Sequence, residues 1–472
     1  MAVHFYVHKS VIEIHFYVHK SVNLLQFYVL KEKKIEKMYR TLTENLRVWK
    51  ANPDKKPLII LGARQVGKTW LMKEFGKNEF KSIAYFNFES KRELSAIFAH
   101  GFHMNQILSA LSVIAGFKVD EEGCLIIFDE IQACPEALTS LKYFCEDRPD
   151  IPIISAGSLL GVASHQGTSF PVGKVEFLQL YPLNFHEFLL VKNKGNFLEL
   201  IQTADSRMIE IFSPELIKLL KEYYIVGGMP EVVKEFCESD DYRKVREIQL
   251  NILNAYENDF SKHAPMAQVP RIRMVWQSLL SQLAKENSKF IYSALRPGAR
   301  AKDFELAIEW LKDAGLIHKV NRLNKVGFPL AAYADWADFK IYLNDLGLIS
   351  AIANLSPEII LRGNELFSEF KGIISEQFIL QQLLSANVKP YYWNPENTRS
   401  EVDFIIQLDN LIVPIEVKAA ENVKAKSLSV YYEKYKPEIC IRTSLAGYKS
   451  QEWLQNVPLY GFLNWLNSRL KL

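Results

Sequence analysis

No stretch of eighteen or more apolar residues runs through this chain; the longest approach, ILSALSVIAGF at 107–117, is broken by serine and glycine. That excludes a long apolar membrane-spanning helix and reads as a packed helix, so no membrane partner is expected. Cysteine is scarce: five in 472 residues, at 124, 134, 145, 237 and 440, odd in number and without a CxxC pair. Neither a disulfide framework nor a zinc site follows from that spacing, and reduced thiols in a cytoplasmic setting are expected. Net charge is also small, +3, too little to argue for a nucleic-acid partner by itself. At the N-terminus a small-residue cleavage site is missing and histidines interrupt the apolar part, so a secretory signal is not expected. With 49% hydrophobic and 24% charged residues, what remains is a globular chain of about three domains.

One segment stands apart. HFYVHKSV at 4–11 returns unchanged at 15–22, and FYV returns at 27–29. FYV triplets give no narrow helical stripe, so the repeat does not read as a coiled coil. Residues 1–37 are expected to be translated tandem DNA ahead of Met38 and no part of the fold.

The densest chemistry lies at 56–75, KPLIILGARQVGKTWLMKEF. An apolar run, 58–61, leads into Gly62-Ala63-Arg64-Gln65-Val66-Gly67-Lys68-Thr69 and then an amphipathic helix. This is G-x-x-x-x-G-K-[ST] in a strand–loop–helix setting. Glycines let backbone N–H groups wrap phosphates, the helix N-terminus supplies partial positive charge, and Lys68 reaches the β/γ oxygens. The Thr69 hydroxyl is the expected Mg²⁺ ligand. About 60 residues later GCLIIFDEIQ (123–132) is near-continuously apolar, as in a buried parallel strand, and ends in two carboxylates. Asp129 is placed to hold the Mg²⁺ shell and Glu130 to orient or deprotonate the attacking water. A further buried strand in DIPIISAGSLLG (150–161) ends in Ser158; inserted between the other two strands, it would bring that hydroxyl near the γ-phosphate. KSIAYFNFES and KVEFLQLYPLNF supply two more strands.

Taken together, GARQVGKT, IIFDEIQ, AGSLLG, LYPLNFHEFL, YYIVGGMPEVV and FKIYLNDLGL resemble the prokaryotic AAA-type ATPases that carry a C-terminal domain of unknown function, over roughly 38–440. The resemblance implies ATP and Mg²⁺ as cofactors and a lid packed on the nucleotide domain. Where the family has an arginine in PVGR, this chain has Lys174, which lacks the bidentate fork, so no catalytic role is assigned to it.

Past the lid the pattern changes. MVWQSLLSQLAKEN, AKDFELAIEWLKDAGLI and HKVNRLNKVGFPL read as helix, helix and basic hairpin, the order of a winged helix with the second long helix as reader and 318–330 as wing. Arg296, Arg300, Lys302, Lys312, Lys319, Arg322 and Lys325 would then form a cationic surface for DNA phosphates. Solvated helix lysines, and a winged helix used for protein contacts, fit the same residues.

Finally, SEVDFIIQLDNLIVPIEVKAA (400–420) reads as a hairpin turning at Asp409-Asn410. A symmetric turn sets residue 408 against 411 and therefore Asp403 against Glu416, with Lys418 on the same face. Pro414 removes a ladder donor and is a warning of an edge or bulge. Upstream, NELFSEFKGIISEQFILQQLLSAN has helical period and places Glu376 in a stripe with Ile373, Leu380 and Leu383. Two carboxylates and a cation suit a Mg²⁺-dependent phosphodiester site; a solvated sheet face would carry the same charges. Helix Glu, strand Asp and Glu-x-Lys resemble the PD-(D/E)xK, restriction-endonuclease-like superfamily over about 350–472. The resemblance implies catalytic Glu376, Asp403, Glu416 and Lys418, with metal held by Asp403 and Glu416.

The expected architecture is an α/β multidomain chain: a P-loop parallel-sheet ATPase domain (38–215), a helical lid (216–270), a winged-helix-like domain (271–350) and a restriction-endonuclease-like α/β domain (351–472). The expected function is ATP binding and hydrolysis in a protein acting on DNA, with Mg²⁺-dependent nuclease chemistry at the C-terminus. The alternative is a nucleotide-switched regulatory or protein-binding ATPase whose nuclease-like domain is inactive.

Overall fold

The computed structural model describes residues 38–470 apart from 91–92, 100, 159–169, 204, 285–288, 363–367, 396–399 and 421–424. The repeat at 1–37 and the end of AGSLLG lie outside the described residues.

Helix α1 (Leu42–Ala51) precedes a five-stranded parallel sheet made of β1 (Leu58–Leu61), β2 (Ser82–Asn87), β3 (Cys124–Asp129), β4 (Ile153–Ala156) and β5 (Glu176–Gln179), in the order β2-β3-β4-β1-β5. Every residue of β3 is buried, as a parallel strand covered on both faces requires. The two-residue period sends neighbours to opposite layers: Leu58, Ile60, Leu125 and Ile127 join one core, while Ile59, Ile126 and Phe128 join the other with Phe86 and Phe144. Each such side chain contributes roughly 1.5–3 kcal/mol on full burial. The order puts β4 between the P-loop strand and the acidic strand, so three strand ends converge on one edge. Helix α2 (Lys68–Glu79) starts directly from the loop after β1.

Helix α3 (Phe185–Val191) opens with a capping box in which Asn184 and Glu187 satisfy each other's backbone N–H groups. Farther on come α4 (Tyr242–His263), α5 (Val269–Leu283) and α6 (Ala301–Asp313). The glycine pair at 227–228 is needed for close approach: a Cβ on Gly228 would lie 2.1 Å from the Leu183 carbonyl oxygen. Buried Asp345 accepts from the N–H groups of Gly228 (2.7 Å) and Leu348 (3.1 Å), which fastens the two motif segments to each other.

A second, mixed sheet follows: β6 (Ile317–Leu323), β7 (Ala334–Leu343), β8 (Tyr391–Trp393), β9 (Val402–Leu408), β10 (Leu411–Val417), β11 (Cys440–Ser444), β12 (Lys449–Gln451) and β13 (Leu454–Pro458), in the order β12-β13-β11-β10-β9-β8-β6-β7. Helix α7 (Ser368–Ser385) packs on it and carries buried Gln377, Gln381 and Gln382. These amides serve neighbouring backbone: Gln377 donates to the Leu343 carbonyl (2.7 Å), and the oxygens of Gln381 and Gln382 accept from Leu346 and Phe185. Phe378 meets the rings of Phe185 and Tyr223, each at 5.9 Å, so one continuous core ties this sheet to the ATPase-side helices.

The hairpin register follows the sequence. Leu411 faces Leu408 and Ile415 faces Phe404, and the ladder passes Pro414 opposite Ile405 without a shift. Pairing of β10 with β11 begins only at Ile415, so the missing Pro414 donor falls where no partner strand needs it.

The helix, helix and hairpin expected over 271–350 are present as α5, α6 and the antiparallel β6–β7 pair. The hairpin does not stand alone: β6 pairs with β7 on one side and, through Arg322 opposite Tyr392, with β8 on the other. The sheet thus runs across the boundary expected at 350/351. Burial of Ile317, Val320 and Leu323 draws the strand into the layer. The expected cationic surface is largely spent on neighbours as well. Lys312 and Lys319 pair with Glu309, Arg322 with Asp335 (2.9 Å) and Asp338 (3.1 Å), and Arg296 reaches Asp303 at 3.9 Å. Arg300 and Lys302, at the start of α6, stay exposed.

Candidate functional sites

At the phosphate loop, backbone geometry explains the residue choice. Gly62 has φ +150°, and a Cβ there would lie 2.3 Å from the Leu180 carbonyl oxygen; Gly67, with φ +94°, turns the chain into α2. Gln65 is also left-handed, at φ 65°. Lys68 is only 7% exposed, and its ammonium donates to the Gly62 and Ala63 carbonyls, both at 2.7 Å. Burial is the main influence on it and brings its pKa down to about 8, against the pull of Glu130 and Asp129. From outside the loop, buried Arg40 donates to the Val66 carbonyl (2.8 Å) and pairs with Glu187 (3.3 Å).

At the end of β3, Asp129 accepts from the Thr69 hydroxyl at 2.8 Å and from the Tyr85 hydroxyl at 2.7 Å through one carboxylate oxygen. Its other oxygen accepts from the Glu130 N–H at 3.1 Å. Burial pushes the Tyr85 phenol up to about 12, so it stays a donor. Thr69 and Asp129 present adjacent hard oxygens of the kind Mg²⁺ takes beside substrate phosphates, and this donor set fits the ion. Glu130 has φ 51°, which turns it off the strand line; its Oε2 accepts from Gln132 Nε2 (2.6 Å) and Ser158 Oγ (3.2 Å). The sequence-expected residues Gly62 to Thr69, Asp129, Glu130 and Ser158 therefore share one site. Arg64, expected only as a loop residue, does more: it donates to Ser158 Oγ at 3.1 Å and ion-pairs with Asp259.

The C-terminal set converges differently. Lys418 pairs with Glu416 at 2.7 Å, and the Asp403 carboxylate accepts from the Val417 N–H at 2.6 Å, just where the β9–β10 ladder ends. Glu376, on α7, accepts from the Tyr342 hydroxyl at 2.9 Å. Among them stands a residue that the sequence reading missed. Lys340, on β7 and 0% exposed, pairs with Glu401 and lies 3.7 Å from Glu376. Burial alone would lower its pKa, but Glu376, Glu401 and Asp403 together raise it, so the ammonium persists. Asp403 is held well above the usual carboxylate range by burial and by Glu376. One signal was available: Lys340 interrupts the apolar run FKIYL in a strand, where a charge must be paired or used.

Among the described residues no group of three or more His, Cys, Asp or Glu side chains is placed to hold a metal ion. Lys340 supplies positive charge inside the cluster, paired with Glu401 and facing Glu376. Buried Glu416 Oε2 has no hydrogen-bond partner.

Comparison with known proteins bears on the first site. Residues 54–189 match the family model of the AAA domain. The five-stranded parallel sheet and the phosphate loop of this segment agree with that match. Residues 217–359 and 371–462 match two domains of unknown function, DUF8612 and DUF4143. No curated protein matches the chain in sequence. Among solved structures, the Walker-type ATPase PABY2304 of Pyrococcus abyssi is similar at 15% identity and a TM-score of 0.44, with 67% of this chain and 96% of that one covered. The Orc1 protein of Aeropyrum pernix, in complex with DNA, aligns at 13% identity, 66% and 90% coverage and a TM-score of 0.27. The RuvB Holliday-junction branch-migration motor of Thermotoga maritima aligns at 16% identity, 59% and 88% coverage and a TM-score of 0.27. Likenesses this distant bear on neither ligand nor partner. Among the described residues no helix is long and apolar enough to cross a membrane.

Proposed function

We propose that the chain binds and hydrolyses MgATP and acts on DNA. The observation that carries hydrolysis is the convergence of Lys68, Thr69–Asp129, Glu130 and Ser158 at three adjacent strand ends. Lys68, freed from two carbonyls, would take β/γ oxygens. Thr69 and Asp129 would hold the magnesium ion, which supplies charge neutralisation of the phosphates when bound. Glu130 would accept a proton from water once its hydrogen bonds to Ser158 and Gln132 relax. Support for DNA is the helix–strand–strand layout of Glu376, Asp403 and Glu416-x-Lys418 together with exposed Arg300 and Lys302. The test is ATP turnover with and without duplex, single-stranded and branched DNA, alongside salt-dependent binding. Turnover indifferent to all three DNAs and salt-independent binding would overturn the DNA part.

A specific observation favours a second reading of the C-terminal domain. Lys340 pairs with Glu401 and lies 3.7 Å from Glu376, a carboxylate of the expected cleavage set, so part of that set already has an internal counter-ion. On this reading the protein is a nucleotide-switched regulatory or protein-binding ATPase, and its nuclease-like sheet does not cut. Strand scission with Mg²⁺ or Mn²⁺ that disappears in Asp403→Ala, with ATP hydrolysis intact, would restore the nuclease assignment.

A further inference from the structure

Arg64 occupies a variable position of the phosphate loop, yet its guanidinium is tied on three sides. Nε donates to Ser158 Oγ at 3.1 Å, a second nitrogen ion-pairs with Asp259 on α4, and a third lies 3.5 Å from Glu89. Because the Ser158 hydroxyl accepts from Arg64, its own proton is left to donate, and it goes to Glu130 Oε2 at 3.2 Å. The chain of hydrogen bonds therefore has a fixed direction: Asp259 holds Arg64, Arg64 orients Ser158, and Ser158 orients Glu130. The same helix grips the loop a second time. Tyr256, one turn before Asp259, donates its hydroxyl to the Arg64 carbonyl at 3.0 Å and accepts from Asn344 Nδ2 at 3.3 Å. Gly315 closes against the loop too, where a Cβ would lie 3.1 Å from the Ala63 nitrogen.

We infer that Asp259 is a positioning residue for ATP hydrolysis: through Arg64 and Ser158 it sets the carboxylate of Glu130. Helix α4 lies outside the AAA match, in the stretch that matches the first domain of unknown function. A displacement of α4 is thereby transmitted through Arg64 and Ser158 to the Glu130 carboxylate, so hydrolysis reports the state of that second region. An arginine suits the task, since its planar fork can hold a serine and a carboxylate at once in a rigid geometry, which a lysine cannot. The inference rests on the hydrolysis reading above.

The experiment compares steady-state ATP turnover with equilibrium binding of a fluorescent ATP analogue. Asp259→Asn keeps shape and removes the charge. Its kcat should fall about tenfold while KM and the analogue's Kd stay within about twofold, the signature of an interaction that matters only in the transition state. Asp259→Glu should recover part of the loss. Ser158→Ala supplies an independent arm with a similar loss, and the double variant should be no slower than the slower single one, as expected of residues acting in series. Unchanged turnover in Asp259→Asn, losses that multiply, or a loss confined to KM would each overturn the relay. Wild-type protein that binds the analogue without turning ATP over would sink the hydrolysis reading itself, a different and distinguishable failure.

Discussion

At the phosphate loop a buried lysine rests on two backbone carbonyls; in the C-terminal sheet a buried lysine rests among carboxylates. The residue types are the same, and the consequences diverge. A neutral carbonyl gives up an ammonium readily to a phosphate oxygen, so Lys68 is poised for an incoming charge. A carboxylate does not, because separating the pair in a low-dielectric interior leaves two uncompensated ions. Burial accordingly lowers the Lys68 pKa, while the neighbours of Lys340 overcome burial and raise it. One lysine awaits a ligand, and the other already has its partners.

The largest effect should come from the open site. Lys68→Ala is expected to abolish detectable nucleotide binding, and Glu130→Gln to keep binding while losing roughly 10²-fold or more of turnover, since an amide cannot take a proton from water. Equilibrium binding and single-turnover assays read the two separately; equal affinity and turnover in wild type and Lys68→Ala would remove the site.

Breaking the closed site should cost stability rather than turnover. Lys340→Met strands Glu401, Glu376 and Asp403 together, and about 3–5 kcal/mol should be lost in urea unfolding, the usual result of removing one partner of a buried pair. Mn²⁺ should raise the melting temperature of this variant by several degrees and leave wild type nearly unmoved. A large Mn²⁺ shift in wild type would mean that Lys340 yields to metal and that the contrast is wrong.

A smaller effect concerns pH. Lys68, near a pKa of about 8 in the free protein, must be charged to hold a phosphate, so binding takes up a proton. ATP affinity should fall as pH rises above about 8, by up to tenfold per unit, and calorimetry in buffers of different ionisation enthalpy should register the uptake. Asp345 behaves in the opposite charge sense: burial raises its carboxyl to about 6, so its contribution to stability, complete below the ordinary carboxylate range, is lost as pH climbs through 6. Asp345→Asn should flatten that part of the stability profile.

The smallest effect is expected from deleting residues 1–37, which should leave both sites and the melting temperature unchanged. A drop of several degrees would show that the repeat contributes to the fold.

Much of the first site was legible because its parts are contiguous or sit at strand ends. The Gly62–Thr69 run encodes its own loop through positive φ angles and a helix start, and the apolar run into Asp129-Glu130 announces a buried parallel strand. The β9–β10 register was legible for a similar reason, since a two-residue turn fixes the pairing that follows it. The hairpin at HKVNRL was legible, but its second neighbour strand was not. Only the neighbouring Tyr392 and Phe339 reveal that it is an interior strand of a larger sheet.

By itself, then, the sequence determined the phosphate loop, the acidic strand and the tight hairpin, all set by interactions a few residues apart. The tertiary structure decided the rest. Arg64 and Asp259 stand 195 positions apart, and Lys340 and Glu401 stand 61 apart. No local pattern specifies such pairs, because each depends on which helix or strand packs beside which. Charge in a folded protein is balanced by neighbours in space, and that choice left one lysine on neutral carbonyls and made the other an internal counter-ion.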